Sequence, residues 1–373
     1  MNMKRVIMLR SNPIDPDPRV EKEALALIRN GISVFILCWN RSDNSGCRES
    51  VLKIGDKSVK IVKIGCKASF GEGVKNLIPF VKFQILMGLY LLKKRECYDI
   101  IHACDFDTAF ISSIISRILG KKFVFDIFDF IFGRPKNLFQ KVIKKLQYVI
   151  INHADATIIC TEKRKQQIRG THPKKLIVIH NTPERKILNI TSDHSSGKVK
   201  FVYVGILQDY RLINEILACM SEHPEVELHI GGFGKYEDLL KLFSRKYNNI
   251  IFYGKLPYDK TLELEYMSDV MLAIYDPSIE NHEYAAPNKF YEGLMLGKPL
   301  IMVKGTGMSE VVETYDIGCL IEYSKRGFEN GIYDILSKRD RWESMSLTMK
   351  KIYDQQFAWK IMEKRLAELY CSL

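Results

Sequence analysis

No unbroken apolar run in this 373-residue sequence approaches the roughly 20 residues that a membrane-crossing helix needs. The nearest stretch, "LIPFVKFQILMGLYLLKK" at residues 77–94, is interrupted by Lys82 and Gln84. It reads either as a buried crossover helix or as a segment lying in a membrane interface with its lysine-rich end on the headgroups. The start, "MNMKRVIMLRSN", has no long apolar core and no small-residue cleavage pattern, so it reads as a first buried strand and not as a signal peptide. Nine cysteines contain no CxxC pair, which leaves neither metal spacing nor a disulfide framework. They read as reduced, core-packing thiols of a cytoplasmic protein. There is no arginine-rich arm either. The excess of 56 Lys+Arg over 44 Asp+Glu, a net charge of +12, is scattered through apolar patterns. That balance favours an anionic partner and speaks against nucleic acid, leaving an acidic membrane surface or a phosphorylated small molecule. Nor is the composition that of a disordered chain, with 46% hydrophobic and 27% charged residues.

What is present is alternation. The length suits two domains of about 150–200 residues each. Short apolar runs such as "RVIML", "SVFILCW", "YDIIHAC" and "KKFVFDIF" alternate with helical patterns such as "RVEKEALALIRNG" and "AFISSIISRILG". This is the pattern of βαβ units on a parallel sheet. Periodicity fails across 183–198, "PERKILNITSDHSSGK", which reads as a linker. It then restarts with "VKFVYVGI", "VELHIGG", "VMLAIY" and "PLIMV". The expectation is two doubly wound α/β domains, 1–185 and 198–350, facing each other across a cleft. A final helical segment, 351–373, follows the second sheet and is placed to pack back on the first domain.

In open α/β sheets ligands collect at the carboxyl ends of strands, so strand-to-helix loops are the places to look. "YVGILQDYRL" offers Gly205 and then Arg211; "IGGFGKYEDL" offers Gly231, Gly232 and Gly234 ahead of a helix. Small residues, helix-start N–H groups and a forked guanidinium together suit a phosphate. A tight turn without ligand explains the glycines as well. "YGKLPYDK" brings Lys255 and Leu256 to another strand end, where backbone groups can read a base. In "PNKFYEGLMLGKPLI", Asn288 is placed to cap a helix, and Lys289 and Glu292 lie one turn apart on it. A surface ion pair accounts for that spacing too. The apolar surroundings of Glu292, however, put its carboxylate near buried surface, where it needs a partner such as a ribose diol.

Seven segments in order carry a resemblance: "SNPIDPDPRVEKEALALIRNG", "YDIIHACDFDTAF", "KKFVFDIFDF", "ADATIICT", "VIHNTPE", "FVYVGILQDYR" and "PNKFYEGLMLGKPLI". Over essentially its whole length the chain resembles a family 4 glycosyltransferase. That resemblance implies the GT-B fold, two Rossmann-like domains with acceptor binding in the first and donor binding in the second. It also implies retaining, metal-independent transfer of a sugar from a UDP- or GDP-linked donor. Arg211 falls where the family places one of two cations on the donor diphosphate. Ile206 falls where an arginine is common, and Lys289 is the substitute. Glu292 matches the second acid of the family's glutamate pair, which holds the ribose; Tyr284 occupies the place of the first, beside Glu283. Donor contacts are thus expected from Gly205, Arg211, Gly232, Gly234, Lys255, Leu256, Tyr284, Asn288, Lys289 and Glu292. Acceptor contacts are expected from Asp17, Arg19, His102, Asp105, Asp126 and Asp129, with Phe128 where the family often has histidine. Asp105-Phe106-Asp107 also fits the Asp-x-Asp that holds manganese in other sugar transferases.

The implied mechanism needs no dedicated base: Arg211, Lys289 and helix-start N–H groups stabilise the leaving diphosphate. The acceptor is expected to be a glycan or a lipid-linked sugar in surface polysaccharide or glycolipid assembly, with the enzyme peripheral at the inner face of the plasma membrane. A sugar-nucleotide epimerase or hydrolase of the same fold, and a non-catalytic sugar-nucleotide-binding subunit, are the alternatives.

Overall fold

The computed structural model describes residues 3–14, 16–69, 76–186 and 197–373. Most of the expected linker, 187–196, lies outside the described residues. The chain divides into two compact units, residues 1–180 with 362–373 and residues 181–361.

In the first unit the strands are β1 (Arg5–Arg10), β2 (Ser33–Asn40), β3 (Gly46–Ile54), β4 (Lys57–Gly65), β5 (Ile100–Cys104), β6 (Lys122–Ile127), β7 (Ala156–Ile159) and β8 (Leu176–Val178). They form one sheet in the order β3-β4-β2-β1-β5-β6-β7-β8. Pairing is parallel except for the β3–β4 hairpin at the edge. The sequence reading omits β3, because an edge strand exposed along most of its length shows no apolar alternation. The helix Leu77–Lys93 crosses from β4 to β5. Its inward residues Phe83, Met87 and Leu91 join the core, with Phe83 stacked on Trp39 at 4.8 Å. The segment is therefore a crossover helix with one buried face; its other face is apolar and exposed.

The second unit contains β9 (Val199–Leu207), β10 (Val226–Gly234), β11 (Ile250–Phe252), β12 (Val270–Ala273), β13 (Leu300–Val303) and β14 (Gly318–Ile321). The order is β11-β10-β9-β12-β13-β14, parallel throughout. In each sheet the chain reverses its direction of winding beside the first strand, between β1 and β5 and between β9 and β12. Those two points are where the loops diverge and leave a crevice.

The last boundary falls later than residue 350. Helix Trp342–Ile352 buries Met349 and Ile352 in the same core as Phe290 and Leu294, so it belongs to the second unit. Residues 362–373 complete the first unit, where Met362, Leu366 and Tyr370 are buried. There the Tyr370 hydroxyl meets His102 Nδ1 at 2.6 Å, and Lys4 Nζ donates to the Tyr370 carbonyl at 2.7 Å. Among the described residues no helix is long and apolar enough to cross a membrane.

Candidate active site

At the winding reversal of the second unit, β9 carries Gly205 close to its end and the helix Asn288–Leu296 starts nearby. The two segments meet atom to atom: a Cβ built on Gly205 would lie 2.6 Å from Lys289 Nζ. The glycine leaves the space that the ammonium fills. Lys289 is buried, and its ammonium stands over the Tyr203 ring, 4.6 Å from the centroid. Burial opposes its charge, but Tyr203, Tyr275, Glu292 and Glu265 outweigh that and hold its pKa above the ordinary lysine value. Among the described residues Lys289 forms no ion pair, so the surface pairing with Glu292 that the spacing allowed is not made. A charged, desolvated ammonium without a hydrogen-bonding anion is a ready partner for phosphate.

One turn on, Glu292 is buried and accepts a hydrogen bond from the Tyr258 hydroxyl at 3.1 Å. Tyr258 lies on the helix Tyr258–Met267, which also carries Glu265. Both carboxyl oxygens of Glu265 are buried and without a hydrogen bond among the described residues. Burial first, and Glu292 second, push its pKa well above the ordinary carboxylate value. Asn288 does not cap its helix as expected. Pro287 occupies the cap position, and Asn288, the first helical residue, accepts instead from Asn181 Nδ2 at 2.8 Å.

Arg211 sits in a loop that is held open by force. Tyr210 and Leu212 on either side of it have φ of 67° and 58°, a region that bulky side chains avoid. Surrounding bonds impose that shape: Asp276 N–H donates to the Tyr210 carbonyl at 3.2 Å, and Leu212 N–H donates to the Tyr323 hydroxyl at 3.2 Å. The guanidinium stacks on Tyr275 at 4.2 Å and reaches His282 Nε2 at 3.3 Å. His282 Nδ1 lies 2.8 Å from the Asp276 carbonyl, which can only accept. Nδ1 therefore carries the proton, and the Nε2 lone pair faces Arg211.

The glycines of β10 have a different task from the one expected. Gly232 and Gly234 (φ 138° and 137°) bring β10 so close to β9 that an added Cβ would fall 1.8 Å from the Gly205 carbonyl and 2.5 Å from that of Leu207. Their N–H groups are already committed, Gly232 to the Gly254 carbonyl at 2.7 Å and Gly234 to Glu237 at 2.8 Å. They shape the strand ends and offer no free amide pair. Lys255 is exposed, with its ammonium over the Phe233 ring, while Leu256 packs toward Gly231. Tyr284 is buried just after the short helix Glu280–Glu283.

The first unit gathers charge at its own reversal. Arg10, at the end of β1, bonds Asp17 at 2.8 Å and Asp105 at 2.5 Å. Asp105 itself accepts from the N–H groups of Phe128 and Asp129 at 2.8 and 3.0 Å, while Asp107 accepts from Ser11 at 3.0 Å. The two acids of the Asp-x-Asp thus serve different partners. Asp129 is exposed and paired with Arg164 at 3.0 Å. Arg19, His102 and Asp126, expected at an acceptor surface, are instead buried and bonded to one another's neighbours. Arg19 pairs with Asp126 at 2.8 Å and Glu23 at 3.1 Å, and His102 Nε2 stands 3.4 Å from Asp126. Burial works against the Asp126 charge, but Arg19 and then His102 hold its pKa low; burial and Asp126 push Glu23 up, so the proton rests on Glu23. His102, Cys104 and Asp126 bring ligand atoms within 4.8 Å of one another, with Asp126 held by Arg19 and His102 by Tyr370. Phe128 fills the place between two guanidiniums, 4.4 Å from Arg10 and 4.2 Å from Arg19.

Residues 185–351 match the family model "Glycosyl transferases group 1", and residues 19–182 match "Glycosyltransferase Family 4". The chain belongs to the group 1, family 4 glycosyltransferases. Three solved structures illustrate the GT-B fold that the transferase shares. Sucrose-phosphate synthase from Thermosynechococcus elongatus is 16% identical, with a TM-score of 0.75 and 99% of each chain covered. Anabaena HepE, solved in complex with UDP-glucose, is 15% identical, with a TM-score of 0.72 over 99% of this chain and 100% of that one. The lipopolysaccharide outer core galactosyltransferase WaaB, in apo form, is 15% identical, with a TM-score of 0.66 and 99% of each chain covered. A search of curated proteins finds no match.

Several groups around the residues expected to contact a donor escape sequence reasoning. Tyr258 and Glu265 are seven positions apart, hence on one helical face, but nothing in "PYDKTLELEYM" marks the second as buried. His282 falls outside every strand-end motif. Arg10 had a signal: a charge at the end of a buried strand.

Proposed function

We propose that this glycosyltransferase moves a sugar from a UDP- or GDP-linked donor to a glycan or lipid-linked acceptor with retention of configuration and without a metal. The diphosphate lies against Lys289 and Arg211, and Glu292 accepts both hydroxyls of the ribose. Lys255 and Leu256 stand near the base, and Arg10, Asp17, Asp105 and Asp129 form the acceptor side. The observation that carries the reading is the buried, anion-free Lys289 ammonium over Gly205, one helical turn from the buried carboxylate of Glu292.

The chemistry follows from where charge develops. As the bond from the anomeric carbon to the diphosphate oxygen breaks, negative charge grows on the leaving phosphate, and two preorganised cations are worth most there. The acceptor hydroxyl attacks from the same face and gives its proton to the departing phosphate oxygen, so no separate base is required. Lys289 replaces the divalent cation that other transferases use to neutralise that charge.

Incubation with radiolabelled UDP- and GDP-sugars and a membrane lipid extract is expected to place label in a lipid or glycan. Glu292→Ala is expected to abolish that transfer and weaken donor binding. Turnover unchanged in Glu292→Ala removes the ribose assignment, and dependence on added Mn²⁺ or Mg²⁺ removes the metal-free route.

A further inference from the structure

The first unit carries an apolar surface that its fold does not use. On the helix Leu77–Lys93 the outward residues Ile78, Val81, Ile85, Leu89 and Leu92 follow one another by three or four, forming a stripe opposite the buried Phe83, Met87 and Leu91. Ile78 is 81% exposed. The next helix, Phe106–Ile118, lies against the first where Gly88 faces Ile111 and Ile115, and it turns Ile114 and Ile118 outward, the latter 70% exposed. The third, Leu138–His153, packs on the second and exposes Leu138, Phe139, Val142 and Val149, with Leu138 at 78%. The inner faces of all three join one core, so their outer faces form a single layer. Scattered surface leucines need no account, but a contiguous layer of this kind marks an interaction site.

Charge selects the occupant. The three helices expose Lys82, Lys93, Arg117, Lys141 and Lys145 among these apolar residues. Their one acid, Asp107, is bonded to Ser11. A protein partner of ordinary composition brings both signs and requires mixed charge opposite it. A bilayer with anionic headgroups brings one sign above an apolar interior, and basic residues rimming apolar side chains match both layers.

We propose that the outer face of these three helices seats the transferase on an anionic membrane surface, with the apolar side chains at the acyl boundary and the lysines on the headgroups. Docking through this face keeps the enzyme where a lipid-linked acceptor diffuses. The proposal does not depend on the donor assignments, since the face shares no residue with them.

The test uses the full chain with vesicles of phosphatidylcholine alone or mixed with phosphatidylglycerol, read by co-sedimentation, with UDP and GDP affinity followed in parallel. The parent is expected to bind the mixed vesicles, lose binding as salt rises, and leave phosphatidylcholine largely alone. Lys93→Glu with Lys141→Glu is expected to weaken partition about tenfold or more, and Ile78→Asp with Phe139→Asp likewise, with nucleotide affinity unchanged. Failure of the parent to bind mixed vesicles, or equal binding by parent and variants, overturns the proposal. So does a parent dimer that ignores vesicles and is split by Ile78→Asp with Phe139→Asp, which assigns the face to a second copy.

Discussion

Lys289 rests its ammonium on the ring of Tyr203, 4.6 Å from the centroid, in space that exists because residue 205 has no side chain. Position and charge can be tested separately. Lys289→Met keeps the stem but removes the charge, and kcat/KM for transfer should fall about 10²–10³-fold. Gly205→Ala keeps the charge but places a methyl group 2.6 Å from Nζ, so the ammonium must move. Its donor affinity should fall while thermal stability changes little. Normal donor binding in Gly205→Ala shows that the ammonium position is unimportant.

Glu292 and Tyr258 form the second test. Glu292→Gln keeps size and burial but cannot accept two strong hydrogen bonds. Donor affinity should drop by about 1.5–3 kcal/mol. Tyr258→Phe removes a hydrogen bond that helps to orient the carboxylate and should cost less, about 1 kcal/mol. Isothermal titration with the nucleoside diphosphate separates the two; equal losses indicate that the hydroxyl itself meets the ligand.

A pH dependence follows from Asp105. Burial, opposed by Arg10 and reinforced by Asp129, pushes its carboxyl from 3.8 up to about 6. The folded chain therefore holds this proton more tightly than the unfolded one. The contribution to stability is complete below pH 3.8 and is lost as pH rises through about 6. Asp105→Asn keeps the acceptor oxygen and, at φ 64°, suits the backbone. Between pH 4 and pH 7 the parent should lose about 2.4 kcal/mol relative to this variant in urea denaturation. A difference independent of pH contradicts the assignment.

Phe128 offers a prediction about stability alone. Lying between two guanidiniums, at 4.4 and 4.2 Å, its ring offsets part of their mutual repulsion. Phe128→Leu should lower unfolding free energy by about 1–3 kcal/mol without changing nucleotide affinity. A loss of nucleotide binding in that variant gives the ring a role in the donor site.

Both sheets were legible in the sequence because parallel strands are buried on two faces and read as apolar runs between turn residues. The edge strand β3 was not, since exposure erases that contrast. Lys289 and Glu292 could be singled out because charged residues inside an apolar helix need a reason. Burial of Arg19, His102 and Asp126 could not be read, because charges that neutralise one another in a core look in sequence like charges that wait for a ligand. The same blindness hid Glu265, whose pKa is raised by its burial. Residues 351–361 were assigned past the second domain because the apolar spacing of the final segment does not name the core that each part enters.

The bond between Tyr370 and His102 has a consequence for biosynthesis. Emerging from the ribosome, the leading unit lacks the piece that covers its buried histidine until residue 370 is made, whereas the trailing unit has all of its own residues by residue 361. Synthesis and completion thus run in opposite order: the unit begun first is completed last, and chains that stop short of residue 362 carry an incomplete leading half.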